Sequence, residues 1–99
     1  INHVYLGDQV KRYIRDIILA TRSHSDIHLG ASSRASLAFV RGAKALAALN
    51  GRTFVIPDDI KRLAPIILNH RFILSREANI ANITSMQVIR EILDTTGVP

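Results

Sequence analysis

Leu29-Gly30-Ala31-Ser32-Ser33-Arg34-Ala35 is the stretch whose residue types and spacing come nearest to chemistry. A glycine turn leads through serines suited to capping into a helix, with one arginine in its first turn. A helix N-terminus already carries positive potential and unpaired amides, so a cation there is mildly disfavoured until an anion arrives. Amides, dipole and guanidinium together would make an anion site from Gly30, Ser32, Ser33 and Arg34. The local pattern leaves a second reading open, an Arg34 that is solvated or paired with Asp26. Other chemistry is thinner. His24 and His28 stand four apart, a spacing that shares a metal on a helix, but their segment reads as a loop and no third ligand has an evident position, so no metal is expected. Gly42-Ala43-Lys44 lacks both the upstream glycine and the following hydroxyl of a phosphate-cradling loop. Ser, His and Asp occur without the strand–turn–helix setting of a nucleophile elbow. With no cysteine in the chain, disulfides, thiolate zinc sites and thiol catalysis are excluded. By itself the chain is expected to be inactive and to hold no nucleotide.

The elements that must position Arg34 are helical. Asp8 to about Arg22 places Val10, Ile14, Ile17, Ile18 and Thr21 on one face, with Asp8 as the cap. Ser23 to Gly30 reads as a polar loop. Ser32 or Ser33 to about Leu49 is the strongest helix, with Leu37, Val40, the stem of Lys44 and Ala47–Ala48 along one stripe, other alanines and Gly42 giving small packing surfaces, and Asn50-Gly51 as the stop. Thr53 to Ile56 is a short extended piece. Pro57 then opens a third helix with Asp58 and Asp59 in its first turn and Ile60, Leu63, Ala64, Ile67, Leu68 and Phe72 as its apolar face. Pro65 is expected to bend or split it. Ser75 to Ile83 fits either a loop or a weak pair of strands. Thr84 to Thr95 makes a fourth helix on Val88, Ile89, Ile92 and Leu93. The fold class is all-α, a small four-helix bundle with room for a minor two-stranded β element.

Ninety-nine residues make one domain. The core must come from aliphatic residues and alanine, because the chain has two Tyr, three Phe and no Trp. No apolar run approaches the roughly 20 residues of a membrane span. The chain opens on Ile1 without an initiator Met, and the expectation is a segment of a larger, cytoplasmic protein. A net charge of +5 admits nucleic acid, an acidic partner or phosphates. The basic residues are scattered, with no run longer than two, and aromatics are not interleaved with them as single-strand binding requires. A basic helical nucleic-acid-binding module is therefore the alternative reading, without sequence-specific binding, and a plain protein-interaction bundle is the default.

Six short motifs follow one another in order: Thr21-Arg22, Leu29 to Ala35, Ala43-Lys44-Ala45-Leu46-Ala47, Gly51-Arg52, Val55-Ile56-Pro57-Asp58-Asp59-Ile60 and His70-Arg71. This series closely resembles the C-terminal lid domain of MoxR-type AAA+ ATPases, from about Val10 to Val98. The resemblance implies a helical lid over residues 8–99 with 1–7 as a linker from an ATPase core. That core would bind ATP and Mg²⁺, assemble with neighbouring subunits as a ring (a hexamer by analogy), and use hydrolysis to remodel or mature a client protein. Arg34 resembles the sensor-2 arginine that reaches the γ-phosphate. Two positions depart from the family pattern. Ser33 stands where Pro is frequent, and Ile56 where Thr is frequent, leaving Asp59 to take up the capping. His70-Arg71 reads as mid-helix, either structural or a contact to a neighbouring subunit.

Overall fold

The computed structural model describes residues 3–69 and 71–99. Five helices form the body: α1 (Asp8–Ser23), α2 (Ser33–Leu49), α3 (Pro57–Leu68), α4 (Arg76–Ile80) and α5 (Ser85–Thr95). Two short strands, β1 (Ile27–Leu29) and β2 (Ile73–Leu74), pair antiparallel with Ile27 opposite Leu74 and Leu29 opposite Ile73, an irregular register. The all-α class and the minor β element both hold. None of the described helices is long and apolar enough to cross a membrane.

α1 buries the face its spacing announces, with Val10, Tyr13, Ile14, Ile17, Ile18 and Thr21 turned inward. Asp8 is not its cap. Gly7 occupies that position in extended backbone, and Asp8 lies within the first turn, where its charge favours the dipole. α5 has a reciprocal cap. Thr84 Oγ accepts from the Gln87 amide at 3.2 Å, and Gln87 Oε1 accepts from the Thr84 amide at 2.8 Å. At its other end the Thr96 hydroxyl donates to the Ile92 carbonyl at 2.7 Å. Ile17, Phe39, Ile60, Leu68, Ile89 and Ile92 meet in one core. Each such side chain contributes about 1.5–3 kcal/mol when withdrawn from water.

The stripe on α2 differs from the one the apolar pattern suggested. Ala35, Phe39, Ala43 and Ala47 are fully buried at four-residue intervals, whereas Leu37 is half exposed and Ala48 exposed. The reason is close approach. α2 and α3 make the most extensive contact between elements, and a Cβ at Gly42 would meet Leu63 Cδ1 at 3.2 Å. Small residues let α3 settle against α2, and the larger Leu37 turns outward. Gly51, at φ +72°, supplies the left-handed residue after α2.

Pro65 neither splits α3 nor ends it at once. The helix continues to Leu68, one turn further, with Asn69 beyond it. Arg71 therefore follows the helix instead of lying within it, and it is exposed; Phe72 is buried from the turn. The reading of His70 falls outside the described residues. Ser75 to Ile83 is neither loop nor strand pair but mainly α4, capped by Ser75 Oγ on the Ala78 amide and left through Asn82 at φ 61°. Both strands lie ahead of where they were sought, β2 directly before this segment and β1 between α1 and α2.

Residues 4–6 are not loose. Val4 and Leu6 are buried in the core, and Tyr5 forms a parallel bridge with Phe54. The Tyr5 amide donates to the Thr53 carbonyl at 2.7 Å, and the Val55 amide donates to the Tyr5 carbonyl at 2.9 Å.

Candidate functional site

The start of α2 is held by the last turn of α1. Thr21 is wholly buried, and its hydroxyl donates to the Ile18 carbonyl at 2.6 Å while accepting from the Ala31 amide at 3.0 Å. Arg22 Nε donates to the Ala31 carbonyl at 3.1 Å. Both backbone polar groups of Ala31 are thus taken by neighbouring residues of α1. Gly30 lies so close that a Cβ there would stand 2.8 Å from Arg22 Cα and 2.9 Å from its backbone nitrogen. Backbone cannot yield as a flexible side chain can. Gly30→Ala should therefore displace the loop and destabilise the domain by about 1–3 kcal/mol, as overpacking does; a denaturant midpoint equal to wild type would contradict the contact.

Gly30 thus works by close packing. The serines do something else. Ser32 is the N-cap residue of α2, in extended backbone, but its side chain makes no capping bond. Ser32, Ser33 and Arg34 are all exposed. Among the described residues Arg34 has neither a hydrogen bond nor an ion pair, and the Asp26 pairing considered from sequence does not form. The helix start therefore carries an exposed arginine and amides without side-chain caps, a combination suited to phosphate or carboxylate oxygens.

The histidine pair is separated. His28 lies on β1, exposed, beside an open cleft of about 510 Å³ shared with Leu74, Arg76, Asn79 and Ile80. His24 faces α5, with Nε2 3.2 Å from Glu91 Oε1, and Asp26 joins them within ligand distance. α5 thus brings a third candidate ligand that spacing could not show. The ring is poorly set for a cation, however. Nδ1 accepts the Asp26 amide at 3.0 Å, which places the proton of the neutral ring on Nε2, toward the carboxylate.

A second polar centre supports the turn before α3. Arg52 forks onto Asp59, with contacts of 2.8 Å and 2.6 Å, and also donates to the Phe54 carbonyl. Asp59 is 2% exposed and accepts from the Ile56 amide at 3.0 Å, taking the capping place that Ile56 cannot fill itself. Burial alone would raise the Asp59 carboxyl. The Arg52 hydrogen bonds, the Ile56 amide and the nearby Arg52 and Arg62 charges outweigh burial and hold it below the ordinary carboxylate range. The capping expected of Asp59 is present, whereas the bonds that Thr21, Arg22 and Arg52 make were not foreseen, although all three stood in the ordered motifs. The available signal was a hydroxyl on the apolar face of α1 and two acids after Pro57.

A helix start braced by a neighbouring helix, in a bundle with one small sheet, defines the class of fold as a helical lid. Residues 19–92 match the family model described as "AAA lid domain". The chain belongs to this family. It is 41% identical over its whole length to YeaC of Bacillus subtilis, a protein described as uncharacterized, and 33% identical over 96 residues to the chaperone MoxR1 of Mycobacterium tuberculosis. A crystal structure from Cytophaga hutchinsonii, assigned as an ATPase, superposes with a TM-score of 0.92 at 37% identity, over 99% of this chain and 32% of that one. The chain spans 31% of YeaC and 26% of MoxR1, so it corresponds to about a third or less of these relatives. The resemblance to MoxR-type lids seen in the ordered motifs is thereby shown.

Proposed function

We propose that this chain is the lid of a MoxR-like AAA+ ATPase, closing over ATP and Mg²⁺ held by a core that lies outside it. Arg34 reaches the γ-phosphate, and the exposed amides and hydroxyls of Ser32 and Ser33 line the same approach. The observation that carries the reading is Arg34 itself, exposed and unpartnered among the described residues at the start of a firmly braced helix. These groups suit phosphate oxygens. Gly30 belongs to the same anion-binding stretch and also supports the site by packing. Bound ATP–Mg²⁺ supplies the phosphoanhydride and its neutralising cation; Arg34 contributes a fixed positive charge where negative charge develops.

The parent assembles as a ring, a hexamer on family analogy, in the cytoplasm. It uses hydrolysis to remodel or mature a client protein, and this domain's part is a rigid-body movement against its own core and the neighbouring subunits. The similarity to the chaperone MoxR1 supports the client-remodelling part of the reading. Nucleic acid is not a partner on this reading. ATP hydrolysis by the full-length parent, with and without residues 8–99, tests the proposal. Deletion should abolish most turnover, whereas undiminished hydrolysis by the core alone would overturn it.

A further inference from the structure

We infer that Thr21 is a positioning residue for Arg34, acting through Ala31 together with Arg22 and Gly30; the inference rests on the reading of Arg34 as the phosphate contact. A hydroxyl in an apolar core is costly unless its donor and acceptor are both used. Valine would occupy the same volume at no such cost. Thr21 is fully buried on the otherwise apolar inner face of α1, yet both functions of its hydroxyl are engaged, one on Ile18 and the other on the Ala31 amide. The first bond stays within α1. The second crosses to the loop three residues ahead of Arg34, and it is the contact that valine could not make.

The surrounding groups serve the same end. Arg22 Nε holds the carbonyl of the residue whose amide Thr21 holds. Gly30 lets that residue approach the α1 backbone as closely as it does. α2 offers no side-chain cap of its own, because Ser32 makes no such bond, and its first buried anchor is Ala35. The direction of the first turn, which carries Arg34, is consequently set from α1. A guanidinium aimed at a developing charge is sensitive to displacement, and a shift of about an ångström can cost up to about 100-fold in rate.

The test uses full-length parent carrying Thr21→Val, Thr21→Ser or Arg22→Lys, each alone and combined with Arg34→Ala, with kcat and KM for ATP measured at a temperature where melting curves show every variant folded. Thr21→Val should lower kcat about tenfold while KM moves less than about twofold, because ground-state binding is held by the core. Thr21→Ser keeps the hydroxyl and should restore most of the rate. Arg22→Lys, at an exposed site that does not threaten folding, should show a smaller fall of the same kind. In the Arg34→Ala background none of these changes should lower kcat further, since the group they position is gone. An unchanged kcat in Thr21→Val, or an equal fractional loss with and without Arg34, overturns the positioning role while leaving the Arg34 reading standing. An Arg34→Ala parent with full turnover overturns both.

Discussion

Replacing Arg34 with alanine should lower ATP turnover by the full-length parent on the order of 10- to 1000-fold, by analogy with lost transition-state donors. The same change should scarcely touch stability. Arg34 is exposed, has no partner among the described residues, and stands in the first turn of a helix where alanine is the better helix former and a cation is unfavourable. Surface changes of this kind stay within about 0.5 kcal/mol. Nucleotide affinity should fall less than turnover, because on the proposed reading most contacts to ATP belong to the core. Melting temperature and kcat measured side by side separate the two roles. A large drop in melting temperature would make Arg34 a structural residue, and unchanged kcat would remove it from the mechanism.

Asp59→Ala should do the reverse, destabilising the domain while leaving the proposed phosphate contact chemically intact. The carboxylate is 2% exposed and satisfies two guanidinium nitrogens and the Ile56 amide, so its removal deletes a buried ion pair and a helix cap at once. A loss of about 3 kcal/mol is expected, toward the low end for buried pairs because the Arg52 side chain keeps 23% of its exposure and can be rehydrated. At this size such a loss lowers the melting temperature by about 15 °C. The pH dependence follows from the same pair. The folded-state carboxyl titrates below the unfolded value of about 3.9, so the folded form binds fewer protons there. The stabilisation is complete above that unfolded value and is lost as pH falls through the lower folded one. Wild type should therefore shed stability as pH falls below about 4, and Asp59→Ala should show a flatter profile over that window. Equal slopes for the two proteins would mean that other carboxyls govern the acid limb.

The helices were legible where periodicity ran for several turns. Val10, Ile14, Ile17 and Ile18 on α1, and Val88, Ile89 and Ile92 on α5, are the residues the structure buries. Legibility failed where two faces competed. On α2, Leu37 and Phe39 belong to different stripes of similar hydrophobicity, and the choice between them depended on how closely α3 could approach Gly42, a tertiary fact. It failed again at Ser75 to Ile83, where a five-residue helix is too short to show a period. At the candidate site, the Gly-Ala-Ser-Ser-Arg stretch announced a helix start with an arginine on it. What braces that start was hidden, because Thr21 and Ala31 are ten residues apart and their hydrogen bond exists only once the chain has turned back on itself.

The bridge between Tyr5 and Phe54 bears on how a lid of the proposed kind could swing. Val4 and Leu6 are packed into the core on either side of it, and its two hydrogen bonds tie the segment ahead of α1 to the one ahead of α3. Gly7, though glycine, is consequently no pivot, since the chain on both sides of it is anchored to the same body. If the core of the proposed parent joins at the N-terminal side, as the resemblance implies, the pivot falls ahead of Val4. A torque delivered there meets both helices at their N-termini together, so the domain turns as a single lever and Arg34 is carried with the whole of it.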